Sequence, residues 1–590
     1  MTSIKGININ WWKVFFIIFV AAYVLILLTK TDLGGIGGND SIFLRTLQAG
    51  KPLLLYSPSF PYFDWIKMGR FTPMSGMEYN LAGLFSKSPS AFWYYFINAV
   101  QYVLFMVLCV KIISKFTSNK FLIYITPVFI SLTTGIIYSW FQIMCPERNL
   151  VFYFTIFIFS YISYLEQPKL RYLILGVISA NLVFYYKETA FIALGAFTFF
   201  RLLFSWKNSN GKINLVRETN PLKTSDKSLS SSNNESLQMK SLVSSNGTRI
   251  FDGIVLLSSV LYLIIYFFYV FLPYRVLTYA PKTVPFVALI KNILNFIFVA
   301  EPIMMLIILP LTGWRLYRIF IKREKPEVFY DSLLLGASIF IISYFVLNLY
   351  NFYYFAPVYI FAILPLFYFI PKIWNEKLIW KILALMTGFL LLFNSLPMSL
   401  HYLTYFKYIP INFNKTLDFL VNDIKTKSPN KRANIFLDGM DRCDSQADYF
   451  VFSEFLLYKG LTAEQFDLKS DQQKSPNCGL DIHLKIPMDN FTVFQKGPLP
   501  KISKGDYLIV SPDSSDDIRT NSNKAYLKSL NDEYNLVFKT ESMFAFPRSN
   551  LKELGRYFLS IGSSPGQKFL SIDRTQSALA WPDYYVFIKK

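Results

Sequence analysis

Histidine is almost missing from this chain. Its two copies, His401 and His483, both fall in the C-terminal region, which excludes a histidine-based metal site inside the apolar spans. Cysteine is also sparse, with four in 590 residues. Cys109 sits in an apolar span and Cys145 near the end of one. Cys443 and Cys478 lie in the polar C-terminal region and pair in a disulfide if that region faces an oxidising compartment. Charge is thin at 16% and unbalanced, with 59 lysines and arginines against 38 acids. A net charge of +21 suggests nucleic acid. Much of it, however, lies in short loops and one linker, with no recognition motif, which is the pattern of cytoplasmic membrane loops. No cleavable signal peptide is legible. Trp11–Leu28 is long for a signal core and no small-residue cleavage site follows, so it reads as a retained first helix.

What is abundant is apolar surface. Hydrophobic residues make up 53% of the chain and aromatics 18%, with a mean hydropathy of +0.34. So much apolar area needs lipid to cover it, and interfacial Tyr, Trp and Phe suit a multi-pass membrane protein. Hydropathy predicts about 11 spans. They fall near 11–29, 91–111, 121–141, 150–165, 171–186, 188–204, 251–273, 300–320, 331–349, 353–371 and 378–397. The apolar segment 285–299 is short and reads as interfacial or re-entrant, and the short fifth span as tilted or broken.

Basic residues mark alternate loops: Lys5 and Lys13, Lys111 to Lys120, Lys169 and Arg171, Arg315 to Lys325, and Lys372 to Lys381. The positive-inside rule then places the N-terminus in the cytoplasm and the C-terminal region outside, in a cell (inner or plasma) membrane. Four regions follow. Residues 1–204 form a membrane module with a long first outer loop, 30–90. Residues 205–250, rich in Ser, Asn and Lys, form a disordered cytoplasmic linker. Residues 251–399 form a second membrane module, and 400–590 a soluble extracytoplasmic α/β domain. In that domain Asn434–Leu437 and Tyr507–Val510 read as strands, and Asp448–Tyr458 and Lys524–Leu530 as helices.

Charged residues at the outer span ends are few. The first loop, too long for a simple connection, carries Asp40, Arg45, Asp64, Arg70 and Glu78. Later outer segments carry Cys145-Pro146-Glu147-Arg148, then Tyr186-Lys187-Glu188-Thr189, then Arg275, Lys282 and Glu301. Ionisable groups at such depths are costly unless paired or hydrated, which makes them functional candidates. Each also has a structural reading. Lys187 and Glu188 suit a local ion pair or snorkelling, Glu147 and Arg148 a capped helix start, and Arg70 and Glu78 a solvated pair. Asp40 suits a cap on the helix SIFLRTL, which leaves one carboxylate oxygen for a substrate. Together they describe a reaction site at the membrane surface. An acid in the loop supplies a general base, and cations at the boundary receive a phosphate leaving group.

On these residues the chain resembles the GT-C superfamily of membrane glycosyltransferases, which includes protein O-mannosyltransferases and lipid A aminoarabinose transferases. The likeness rests on Asp40 in GGND, the acid in CPERN, the lysine-acid pair in FYYKETAFIAL and the late YYFAPVYIFAILPL. The resemblance implies a GT-C-like polytopic helical fold and a polyprenyl- or dolichyl-phosphate sugar donor. It also implies single-displacement inversion at the anomeric carbon. Asp40 is then the base, and Lys187, Arg70, Arg148 and Arg275 hold the donor phosphate. Glu147, Glu188, Glu78 and Tyr186 orient the acceptor, which is a glycan, lipid or protein. Some relatives use a divalent metal at paired acids; with one isolated acid in GGND, no metal or other cofactor is assigned. Where the family often carries Arg in its late Arg-Tyr motif, this chain has Tyr353 before Tyr354, which moves weight onto Lys187 and Arg275.

Two other classes compete. An O-antigen ligase or polymerase places its large outer loop late and uses His or Arg there, whereas here the long loop is first and no span holds His. A lipid-linked sugar flippase or transporter favours midplane sites and internal repeats. Here no repeat is visible and the charges gather at one face.

Overall fold

The computed structural model describes residues 10–34, 47, 50–54, 65–67, 69–85, 90–143, 145–210, 246–274, 290, 293–294, 297, 301–347, 352–374, 377–427, 431–438, 446–470, 498–511, 524–542 and 583–590. Asp40, Arg45, Asp64, Arg275, Lys282, Cys443, Cys478 and the centre of the linker lie outside the described residues, as does most of segment 285–299.

The predicted spans are helical, that at 121–141 as two helices. In chain order they are α1 (Trp11–Leu28), α2 (Ala91–Ser114), α3 (Lys120–Ser131) with α4 (Thr134–Phe141), α5 (Pro146–Glu166), α6 (Leu170–Tyr186), and α7 (Ala190–Asn210). Then follow α8 (Thr248–Tyr274), α9 (Met304–Ile321), α10 (Val328–Val346), α11 (Val358–Ile373) and α12 (Leu378–Lys427). Among the described residues, eight are long and apolar enough to cross a membrane, or nine if the bent α3–α4 pair counts as one span; α6 and α11 are shorter but apolar. The chain is an integral membrane protein.

Local sequence sets the helix ends. Asn10 caps α1 by accepting the Lys13 N–H, and Asn119 caps α3 by accepting those of Phe121 and Leu122. The predicted span 121–141 is broken rather than straight. Pro127 interrupts the α3 ladder and the chain bends by 64° before α4.

Burial sorts the helices into centre and rim. The apolar windows of α5 and α10 are each 72% buried, whereas those of α1 and α8 are 17% and 22%. The former therefore pack against protein over most of their surface, while the latter present Ile18, Leu25, Leu257 and Phe268 outward, as lipid requires.

After α12 comes a five-stranded sheet: β1 (Ala433–Leu437), β2 (Phe466–Lys469), β3 (Tyr507–Val510), β4 (Tyr534–Lys539) and β5 (Tyr585–Lys589), in the order β2-β1-β3-β5-β4. The β1 strand pairs in parallel with β2 and β3, while β5 runs antiparallel to β3 and β4. Helix α13 (Gln446–Tyr458) provides the crossover between β1 and β2, and α14 (Lys524–Glu533) precedes β4. This is the α/β region expected from the strand and helix patterns.

One boundary differs from the sequence reading. Helix α12 does not stop near Leu400 but runs unbroken to Lys427. At about 1.5 Å per residue it is far longer than a ~30 Å hydrocarbon core. Its second half is polar on one face and packs the other on the sheet. Phe419 stacks on Phe538 at 4.6 Å, Tyr507 donates to Asp423 at 2.7 Å, and Asn412 donates to Asp583 at 3.3 Å. The same helix grips the start of the first loop. Lys407 donates to the Leu27 carbonyl at 3.2 Å and Asn414 to that of Leu33. Gly34, at φ +109°, lies so close to Phe413 that an added Cβ would sit 2.6 Å from its ring. Glycine is therefore required there on both backbone and steric grounds.

Candidate active site

Three stretches of sequence meet at one end of the helices. The first is the loop segment 69–85. Tyr266 and Tyr262 of α8 donate to the carbonyls of Gly69 and Phe71, each at 2.8 Å, so the backbone on both sides of Arg70 is held. A left-handed Gly76 (φ +77°) then admits the 3-10 turn Met77–Leu84, which carries Glu78. The second is the start of α5, where Pro146 occupies the first turn and Glu147 complements the helix N-terminus. The third is Lys187-Glu188-Thr189, the tight connection between α6 and α7. Its Lys187 is extended and ends α6.

Six charges from these stretches pair in a zigzag. Arg70 pairs with Glu188, Lys187 with Glu147 at 2.9 Å, and Arg148 with Glu78. Because 187 and 188 are neighbours, as are 147 and 148, the three pairs form one continuous row. Both of its ends, Arg70 and Glu78, belong to the first loop. Tyr186 donates to Glu78 Oε2 at 3.3 Å and Asn149 to Oε1 at 2.7 Å. Arg148 also donates to Asn98 at 2.5 Å and to the Tyr79 hydroxyl. The Lys187 ammonium lies 4.9 Å from the centre of the Tyr354 ring, and Tyr353 stacks on Tyr138 at 4.5 Å.

Burial grades the row. Arg148, Glu147, Lys187 and Glu188 are all buried, Arg148 completely. The Arg70 side chain keeps 19% of its surface exposed. Each charge is compensated, as the cost of desolvation demands. Arg70 is therefore far more accessible to solvent than Arg148.

Of the residues read from sequence, Arg70, Glu78, Glu147, Arg148, Tyr186, Lys187 and Glu188 share this one cluster. Asp40 and Arg275 lie outside the described residues. Sequence reading missed Tyr79, Asn98, Gln101 and Asn149. Asn98 and Gln101 stand one helical turn apart on α2, and Gln101 donates to Asn149 at 3.0 Å. Polar amides inside an otherwise apolar span were the available signal. It also missed Asp32, just beyond α1, whose Oδ1 accepts the Leu33 N–H at 2.9 Å. Burial pushes its carboxyl up to about 6, against the opposing pull of that hydrogen bond and of Lys459. Among the described residues no three His, Cys, Asp or Glu gather in a way that would hold a metal ion.

No family model matches the chain, and no curated protein matches it in sequence. Among solved structures it is similar to the oligosaccharyltransferase of Archaeoglobus fulgidus tethered to an acceptor peptide containing the NVT sequon. Identity is 12% and the TM-score 0.39, over 76% of this chain and 63% of that one. It is similar also to the oligosaccharyltransferase AglB of Archaeoglobus fulgidus in complex with an inhibitory peptide and a dolichol-phosphate. There identity is 13% and the TM-score 0.39, over 76% of this chain and 64% of that one. The chain thus spans less than two thirds of the length of either.

Proposed function

We propose that the chain is a membrane glycosyltransferase that moves a sugar from a polyprenyl-phosphate donor to an acceptor at the outer face. The observation that carries this reading is the buried zigzag. The loop segment holding GRFTP and MEYN, the CPERN stretch and the YKET stretch lie far apart in sequence, yet their charged residues form one row anchored at both ends in the first loop. A row of purely structural ion pairs has no need of a held loop. A phosphate-leaving reaction does, because base and leaving-group ligand must be fixed on opposite sides of the anomeric carbon.

In this mechanism Asp40 takes the proton of an acceptor hydroxyl as its oxygen attacks the anomeric carbon. The bond from that carbon to the phosphate oxygen breaks, and the electron pair leaves with the polyprenyl phosphate. Configuration inverts in this single displacement. Arg70 meets the developing charge on the phosphate, with Lys187 behind it. Arg148 holds Glu78 and the 3-10 turn in place. Glu147 and Glu188 keep the two outer cations oriented, and Tyr186 fixes Glu78. The α12 contacts to Leu27 and Leu33 hold the start of the loop that carries Asp40.

The test uses membranes carrying the full chain and a panel of radiolabelled polyprenyl-phosphate hexoses and pentoses. Wild type is expected to transfer label from at least one donor to an acceptor. Asp40→Asn should lose about 100- to 10,000-fold in rate with insertion unchanged. Near-normal transfer by Asp40→Asn removes the assigned base. Movement of intact donor across the membrane without its consumption favours a flippase instead.

A further inference from the structure

Glu301 stands apart from the zigzag. It precedes α9 and is 1% exposed. One of its carboxyl oxygens accepts the Thr134 backbone N–H at 3.2 Å, at the first turn of α4, where the α3–α4 pair bends. The hydroxyls of Tyr359 on α11 and Ser395 on α12 face the same carboxyl. Yet Glu301 Oε2, the Tyr359 hydroxyl and Ser395 Oγ are each buried without completing a hydrogen bond. The Thr134 hydroxyl adds a fourth side-chain group, 2.9 Å from Ser399 Oγ and 3.5 Å from the Ser395 carbonyl.

Every acid of the zigzag has a cation beside it. Among the described residues Glu301 has none, and every group acting on it is a hydroxyl or the Thr134 N–H. A carboxylate this deep is costly unless something neutralises it. The backbone around it is irregular as well. A π turn at Met304–Ile308 follows Glu301 in α9, and another at Leu391–Ser395 ends on Ser395. Such turns recur where a helix gives up ladder bonds to serve a site, and broken helices turn carbonyls toward bound ions.

We propose that Glu301, Thr134, Tyr359 and Ser395 form a binding site for a small monovalent cation of the sodium class at the α3–α4 break. Its ligands are all oxygens, which suits a hard ion. It has one carboxylate, which a single positive charge neutralises, whereas a divalent ion would leave an excess charge buried and ordinarily recruits more carboxylates. The ligands come from the start of α9, from α4, from α11 and from α12. A bound ion therefore ties the broken span to the long helix that carries the C-terminal sheet. The inference does not rest on the proposed transferase activity.

The test uses the full chain in detergent at constant ionic strength, with sodium, potassium or choline as the chloride salt. Thermal unfolding of the wild type is expected to shift upward saturably with sodium and not with choline. Binding of radioactive sodium should approach about one ion per chain. Glu301→Gln should abolish the shift and weaken sodium binding by at least about tenfold, and Ser395→Ala should weaken it less. Equal unfolding temperatures of the wild type in all three salts would overturn the proposal, as would sodium binding retained by Glu301→Gln. If Glu301→Gln does not fold, Ser395→Ala and Thr134→Val decide. Undiminished sodium affinity in both overturns the site.

Discussion

Lys187 Nζ lies 2.9 Å from Glu147 Oε1 and 4.9 Å from the centre of the Tyr354 ring. The residue that ends α6 is thereby tied to the first turn of α5 and to the turn before α11. This contact makes the membrane end of three helices one unit.

Removing one partner of this pair is expected to cost more than removing both charges. Lys187→Ala leaves Glu147 buried beside no ammonium, a change worth about 3–5 kcal/mol. The double variant Lys187→Met with Glu147→Gln keeps volume and removes the orphaned charge, so its loss should be smaller. Thermal unfolding in detergent measures both. Equal losses in the single and double variants would show that the pair is not electrostatically coupled.

The two arginines of the row should behave differently. Arg148 is fully buried and bonded to Glu78, Tyr79 and Asn98. Arg148→Ala is therefore expected to unfold the cluster, and Arg148→Lys not to restore it, since lysine lacks the forked donors. Arg70→Ala orphans Glu188 and so loses some stability, but with Arg70 partly exposed it should still fold and raise KM for the donor by the loss of one charge-assisted contact, about 1.5–3 kcal/mol. Expression and steady-state kinetics separate the two. Unchanged donor KM in a folded Arg70→Ala removes Arg70 from the phosphate site.

Asp32 supplies a pH test. Burial raises its folded-state value from 3.8 to about 6. The folded state then binds the proton more tightly than the unfolded state does. The stability linked to Asp32 is full below about pH 4 and is lost as pH rises through about 6. Asp32→Asn should thus be more stable than wild type at pH 8, by on the order of 1–3 kcal/mol. That advantage should shrink as pH falls toward 4.5. A difference that is constant from pH 8 to 4.5 contradicts the burial argument.

Cys443 and Cys478 are expected to form a disulfide outside the cytoplasm. Non-reducing peptide mapping of protein purified with its thiols blocked should recover the linked peptides. Cys443→Ser should lower stability by about 2–4 kcal/mol. Recovery of both residues as blocked free thiols would reject the pairing, and with it one argument for the outward placement of the sheet.

The spans, two of the five strands (those at Asn434–Leu437 and Tyr507–Val510) and the charged residues were legible in the sequence. Each is a local property: apolar length for a span, a short apolar run for a strand, and an ionisable residue at an apolar boundary for the cluster. The α12 boundary was not legible, because its second half is polar on one face and apolar on the face that meets the sheet. Composition alone averages those two faces. The bend after α3 had a local sign in Pro127, but the partners that Thr134 meets beyond it, Glu301 and Ser395, come from other helices.

What the sequence by itself determined is which residues carry charge at the membrane boundary. Only the tertiary structure decided who pairs with whom. Lys187 and Glu188 are neighbours, but Lys187 pairs with Glu147 and Glu188 with Arg70. Arg148 finds Glu78, 70 residues away. The physical reason is that a buried charge is satisfied by the partner the packed helices bring within about 4 Å, and sequence spacing does not encode that distance across separate spans.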